Sequence, residues 1–207
     1  HEIIEMNATG YWPYTPNTNL LYGLAEALDM ILGEGLDNPF ARHQRLAAAC
    51  RKAVTAWGLE ITCQEQAVYS PVLTGVMMPE GVDADAVRKI IYDNFDMSLG
   101  TGLGKLKGKM FRIGHLGSLT DAMMLSGLAT VEMVMADLGL PVRLGSGVAA
   151  AQEVYRTGAA KIEKAARSVG IEDVKVSTAT QIMTLHADAT RRPQVEQAVA
   201  AIGYQLD

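Results

Sequence analysis

Residues 97–117 read MSLGTGLGKLKGKMFRIGHLG, and this stretch contains the clearest strand–turn–strand pattern in the chain. Apolar runs near Met97–Gly100 and Lys109–His115 predict two short strands, and the glycines between them predict a turn. The glycines are not a nucleotide-binding motif. GxGxxG lacks its third glycine, and Met110 follows Gly108-Lys109 where a phosphate-binding loop needs a hydroxyl residue.

The residues before this stretch predict a helix that begins beside an aromatic turn. In the turn-rich segment 10–16, Thr15 is the predicted N-cap and Pro16 the predicted first helical residue. Leucine and isoleucine residues recur at three- and four-residue steps from Leu20 to Leu32, which is typical of an apolar helix face. Gly33 and Gly35 are expected to end this helix.

The next elements follow from caps and breakers in the same way. The pattern predicts a helix that starts at Asn38-Pro39 and stops at Gly58, a strand over Ser70–Met78, a helix capped by Asp83, and helices over Leu119–Leu138 and Val148–Arg156. The composition of the sequence changes near Gly158, but no Ser/Gly/Pro linker marks the junction, which leaves two arrangements open: the two pieces pack on each other, or they share a continuous helix. The tail is predicted to be α-β-β-α-β, with a helix to Val169, strands Glu172–Ser177 and Gln181–Ala187, a helix after Pro193 and an edge strand Tyr204–Leu206.

Composition limits the function classes. The chain has 207 residues, 49% of them hydrophobic, and a formal net charge of -5. We expect no nucleic-acid partner, because phosphate binding needs clustered Lys and Arg, and no membrane partner, because no apolar run approaches a bilayer span. Two cysteines without CxxC spacing and four scattered histidines predict no disulfide scaffold and no metal site. A cytoplasmic location is expected.

Arg112 is the first candidate for binding chemistry. It interrupts an apolar strand between Phe111 and Ile113, and a guanidinium is costly to bury without an acceptor. Its planar fork matches a carboxylate through two hydrogen bonds. A side chain that reaches solvent from a half-buried strand is the commoner situation, and the residues alone leave both interpretations open.

Thr15 is the second candidate. A hydroxyl residue followed by proline at a helix start offers unpaired N–H groups and a side-chain donor, and such an end attracts anions. A plain cap without a ligand is the alternative. Tyr14, with the other aromatic residues of the turn, could line an anion site or pack the turn, and the sequence does not separate these roles.

Three stretches resemble class V pyridoxal-phosphate aminotransferases of the serine–glyoxylate and alanine–glyoxylate type. They are EIIEMN with GYWPYTPNTNLLYGL at residues 2–7 and 10–24, MSLGTGLG with GKMFRIGHLG at residues 97–104 and 108–117, and GSGVAAA at residues 145–151. The resemblance covers residues 1–157. It implies an α/β (α+β) fold in which this region is the C-terminal part of a type I aminotransferase, working as a homo-oligomer.

The resemblance also implies roles for single residues. Arg112 would bind the substrate carboxylate, Thr15 would reach the phosphate of pyridoxal phosphate, and Tyr14 would lie beside that cofactor. The substrates would be a small amino acid and a 2-oxo acid. The cofactor-bearing lysine of the family is missing, because none of the eight lysines lies in the family's motif. We therefore expect no catalytic residue here and little transaminase activity from this chain alone.

Residues 159–207 resemble a heavy-metal-associated domain, which has a ferredoxin-like βαββαβ fold. The carrying stretches are AKIEKA at residues 160–165, VKV at 174–176 and VEQAVAAIGY at 195–204. The first strand is not recognisable, and the CxxC motif that binds soft metals is absent, so metal binding should be lost. The two resemblances together suggest a chimera. A non-catalytic chimeric or designed scaffold and a heavy-metal-binding domain are the alternatives to an aminotransferase part.

Overall fold

The computed structural model describes residues 1–171, 173–176, 183–185 and 189–200. Packing divides the chain into two units, residues 1–39 and residues 40–207. The first unit contains helices α1 (Glu2–Ala8) and α2 (Thr18–Glu34). Every side chain of α2 is exposed, including Leu20, Leu24 and Leu28 of its apolar face.

The predicted start of α2 was wrong. The helix begins at Thr18, and its N-cap is Asn17, whose side chain accepts a hydrogen bond from the Leu20 amide at 3.2 Å. Thr15 and Pro16 therefore lie before the helix. Asparagine is at least as good an N-cap as threonine, and the side-chain oxygen of Asn17 accepts from an amide in the first turn of the helix that has no backbone partner. Gly35, with φ of +81°, ends the helix as expected.

Helix α3 (Asp37–Ala56) starts one residue before the predicted cap. Asn38 lies inside its first turn, where its side-chain amide donates to the Glu34 carbonyl at 2.8 Å. The helix ends just before Gly58, which has φ of +74° and was the predicted stop. From Leu46 onward one side of α3 is buried.

The second unit is built on a four-stranded antiparallel sheet. Its strands are β1 (Glu60–Ile61), β2 (Leu73–Met77), β3 (Gly100–Thr101) and β4 (Met110–Gly114), in the order β1-β2-β4-β3. The strands predicted around β2 and β4 are confirmed. The strand predicted at Met97–Gly100 lies further along the chain, because only Gly100 and Thr101 pair with β4.

Helices cover one face of this sheet. Thr74 and Val76 of β2 pair with Ile113 and Phe111 of β4, and all four side chains are buried. The three apolar ones join one core with α3, α4 (Ala84–Phe95), α5 (Asp121–Asp137) and the first half of α6 (Ser146–Ser168). Since side chains alternate along a strand, Arg112 and Gly75 stand on the opposite face.

Caps and glycines fix the ends of these helices. The Asp83 carboxylate accepts from the Asp85 amide at 2.9 Å, which confirms the predicted cap of α4. Thr120 caps α5 by accepting from the Met123 amide at 3.2 Å. The two short helices predicted on either side of Gly158 are one continuous helix, α6.

The tail has its own small core. After α6 come β5 (Val174–Val176), β6 (Met183–Leu185) and α7 (Arg192–Ala200), with β5 and β6 antiparallel. Buried Ala166, Ile171, Val195 and Val199 pack together there. This order confirms α-β-β-α of the predicted tail. The predicted edge strand Tyr204–Leu206 lies outside the described residues.

The architecture is a mixed helix-and-strand fold, as the sequence predicted. Within the described ranges, no helix combines the length and apolar character required to cross a lipid bilayer.

Candidate functional site

Arg112 lies in the middle of β4, and the residue paired with it on each neighbouring strand is a glycine. It lies opposite Gly75 of β2 on one side and opposite Gly100 of β3 on the other. A Cβ at Gly100 would come within 3.0 Å of both Cβ and Nε of Arg112. The arginine side chain thus lies directly over Gly100, in space that any larger residue would fill.

The guanidinium has an unused donor. Nε of Arg112 is buried, and it has no hydrogen-bond partner in the described part of the chain. A buried donor left unpaired costs about 1–3 kcal/mol. Such a group is satisfied by a ligand that brings its own acceptor, so the unpaired Nε–H indicates a binding position.

Arg112 lines a cavity of about 300 Å³ in the second unit. The described residues that line it include two arginines and several hydroxyl and apolar side chains, but no acidic residue and no lysine. They are Arg51, Ile61, Thr62, Cys63, Val68, Tyr69, Ser70, Leu73, Thr74, Gly75, Met110 and Arg112. Two cations without an internal anion make the cavity attractive to negatively charged ligands.

Arg51 is the second cation of this cavity, and two contacts orient it. Its Nη1 donates to the Ser70 carbonyl at 3.3 Å, and its Cζ lies 5.1 Å from the centre of the Tyr69 ring. Burial lowers the pKa of Arg51 from its ordinary value. A guanidinium whose pKa is lowered by desolvation gains from a nearby anion that restores its favourable electrostatic environment.

An uncharged histidine lies behind Thr74, one of the residues that line the cavity. His115 is fully buried; its Nδ1 lies 3.0 Å from the Pro71 carbonyl and its Nε2 2.9 Å from Oγ1 of Thr74. Because the carbonyl can only accept, Nδ1 carries the proton and Nε2 accepts from Thr74. Burial lowers the pKa of His115 to about 4, so the imidazole is uncharged at neutral pH.

Cys50 also lies behind Thr74 and is not a nucleophile. It is fully buried, and burial raises the pKa of its thiol to about 12. A thiol with so high a pKa has almost no thiolate at neutral pH. The structure thus agrees with the prediction that Cys50 is a packing residue.

Thr15 and Tyr14 belong to the first unit, in the irregular segment before α2. The Thr15 side chain is exposed and makes no hydrogen bond to another described residue, and Tyr14 is 76% exposed. Since Asn17 is the cap, the Thr15 hydroxyl is not used by the helix. It stays available for an external acceptor near the positive end of α2, where no acidic residue occupies the first turn.

Sequence reasoning found Arg112 but missed the other side of its cavity. Arg51 lies between buried Cys50 and the buried pair Ala53 and Val54 on α3, so a cation at the border of the buried face was a usable signal. Gly75 in the middle of a strand was another, because an interior glycine marks a close approach. Tyr69 and Ser70 come from an irregular segment whose position no periodicity reveals.

Comparison with known proteins finds similar sequences over most of the chain, although no family model matches it. L-aspartate–glyoxylate aminotransferase of Paracoccus denitrificans is 55% identical over 163 residues, which cover 77% of this chain and 41% of the relative. Serine–glyoxylate aminotransferase of Hyphomicrobium methylovorum is 46% identical over 160 residues, which cover 77% of this chain and 40% of the relative.

A solved structure agrees with these relatives. Pyridoxamine–pyruvate aminotransferase from Mesorhizobium loti matches with a TM-score of 0.67 and 33% identity, over 71% of this chain and 38% of that one. The chain therefore spans about two fifths of the length of the proteins that it matches.

Proposed function

Because the chain carries a segment of the class V pyridoxal-phosphate aminotransferases of the serine/alanine–glyoxylate type, we propose that it is the carboxylate-binding part of an enzyme that transfers an amino group to glyoxylate. The observation that carries this proposal is the buried, unpaired Nε of Arg112 in a cavity without acidic side chains. Both relatives are glyoxylate aminotransferases.

Arg112 is proposed to bind the carboxylate shared by the amino acid and the 2-oxo acid. A carboxylate can accept from Nε–H and a terminal N–H at once, in the paired geometry that a guanidinium favours. Gly75 and Gly100, which have no side chains, lie beside it on the two neighbouring strands. The same arginine orients both substrates, since each carries this carboxylate in the same place.

Pyridoxal phosphate, when bound, supplies an aldehyde and an electron-withdrawing ring. The exposed Thr15 hydroxyl before α2 fits a phosphate acceptor, and Tyr14 lies beside it in sequence. The cavity around Arg112 offers no lysine, and the lysines at positions 52, 89, 105, 107, 109 and 164 are exposed. Covalent attachment of the cofactor and proton transfer are therefore proposed to belong to the remainder of the enzyme.

Association with a second copy is part of the proposal. Helix α2 presents Leu20, Leu24, Leu28 and Ile31 to solvent, with exposures between 42% and 69%. A continuous exposed apolar face of this kind marks a protein contact. A homo-oligomer would cover it, and sedimentation analysis that showed a monomer at micromolar concentration would refute the proposed association.

A cytoplasmic location is also proposed, in keeping with two free cysteines.

The binding proposal is tested with glycolate, an unreactive two-carbon monocarboxylate. Titration of the full chain, followed by NMR, should show saturable binding that Arg112→Met removes. Arg143→Met is the matched control, because Arg143 is exposed and does not line the cavity. Glycolate binding that is unchanged in Arg112→Met would refute the assignment. Transaminase activity of the chain alone with added pyridoxal phosphate would contradict the proposal that cofactor attachment and proton transfer need the remainder of the enzyme.

The tail supports a second, structural proposal. Residues 159–207 are proposed to be a heavy-metal-associated-like unit that has lost its metal site, and its α-β-β-α order and separate core favour this. In the parts of the chain that the structure describes, no three histidine, cysteine or acidic side chains cluster as metal ligands. Stoichiometric copper(I) or zinc binding by the chain would refute the proposed loss of the metal site.

The alternative of a non-catalytic scaffold predicts no carboxylate binding at all.

A further inference from the structure

The cavity around Arg112 contains more positive charge than one carboxylate can neutralise. Arg51 and Arg112 both line it, and no acidic residue does. Neither arginine is paired with a carboxylate of any described residue. A ligand with one carboxylate satisfies Arg112 and leaves Arg51 beside the ligand without an anion.

We propose that Arg51 binds a second carboxylate, so that the cavity selects dicarboxylic amino acids, and the 2-oxo acids formed from them, over amino donors of similar size with an uncharged side chain, while glyoxylate, bound through Arg112 alone, remains the acceptor. The inference rests on the proposed function, because it takes Arg112 as the residue that binds the first carboxylate. It adds a residue and a substrate class to that site.

The setting of Arg51 suits such a contact. The Ser70 carbonyl uses one of its five N–H groups, and the Tyr69 ring supports the guanidinium plane. Ser70 is itself held in place, because its hydroxyl oxygen accepts from the Val72 amide at 3.2 Å. These contacts orient the guanidinium before a ligand arrives, which reduces the side-chain freedom lost on binding.

The selection follows from the charge of Arg51. Ile61, Val68 and Leu73, which also border the cavity, cannot pair with an anion. A ligand with a hydroxyl group in place of the second carboxylate would leave the Arg51 charge uncompensated. A second charged hydrogen-bonded pair is expected to tighten binding by about tenfold.

Succinate and butyrate test the inference, because both have four carbons and they differ in one carboxylate. Their dissociation constants are measured by NMR titration of the full chain and of Arg51→Met, Arg112→Met and Lys52→Met. Lys52 is the matched control: it is the next residue on α3, it is exposed, and it does not line the cavity. We expect succinate to bind the original chain about tenfold more tightly than butyrate. Arg51→Met should abolish this preference, and Lys52→Met should retain it.

The outcomes separate the two proposals. Butyrate binding that depends on Arg112, without a succinate preference that depends on Arg51, overturns the inference and leaves the proposed function intact. Binding of both acids that is unaffected by Arg112→Met overturns the proposed function. Thermal melts establish that each variant is folded. If Arg51→Met does not fold, Arg51→Lys is used instead: a reduced succinate preference supports the inference, and an unchanged one overturns it.

Discussion

The buried carboxylate of Glu132 should be a major determinant of stability. Its Oε2 accepts from Nε1 of Trp57 at 2.7 Å and from the Gly147 amide at 2.7 Å, and its Oε1 accepts from the Gly145 amide. Gly145 is the N-cap of α6 and has no side chain of its own for capping. The carboxylate of α5 thus caps the start of α6 and joins it to Trp57 of the loop after α3.

Replacing Glu132 by glutamine keeps the shape and removes one acceptor. The amide oxygen can still serve Trp57 and Gly147, but the NH₂ group then faces the Gly145 amide, donor against donor. Loss of one charge-assisted hydrogen bond and burial of an unpaired donor should together cost about 3 kcal/mol. That is a large part of the 5–15 kcal/mol, roughly, by which a folded domain is stable.

Urea unfolding followed by far-UV circular dichroism measures this loss. With a slope of about 2 kcal/mol per molar urea, the midpoint of Glu132→Gln should fall by about 1.5 M. Glu153→Gln is the control, since Glu153 makes only an exposed ion pair with Arg156 on α6. Its midpoint should change little. A Glu132→Gln midpoint within about 0.3 M of the original chain would refute the reasoning.

Three further predictions concern the cavity and α2. The pKa of His115 is lowered from 6.5 to about 4 in the folded chain. As the pH falls from 7 to 5, His115 takes up a proton in the unfolded state but not in the folded state, so the free energy of unfolding should decrease by about 2 kcal/mol. Urea unfolding at both pH values measures this decrease, which His115→Gln should not show. Gly100→Ala should weaken glycolate binding because its Cβ would press on the cavity arginine, whereas Gly114→Ala, with no atom within 4 Å of its Cβ, should not. Asn17→Ala should reduce the stability of α2 by about 1 kcal/mol, with a loss of helical circular dichroism signal that Thr15→Ala does not show.

The sequence by itself determined the features that depend on near neighbours in the chain. The cap at Asp83, the stops at Gly35 and Gly58 and the strands around β2 and β4 follow from local turn chemistry and alternation, and all were confirmed. Arg112 was recognisable because a charge between two buried residues needs an explanation that the strand itself does not give.

Only the tertiary structure decided which distant groups meet. Nothing local pairs Glu132 with the amides at the start of α6, brings Arg51 to the cavity of Arg112, or joins the predicted helices across Gly158 into one. These outcomes depend on side chains that are far apart in the chain competing for the same buried donors and space. Local propensity differs by only fractions of a kcal/mol between such alternatives, and long-range packing and hydrogen bonding outweigh it.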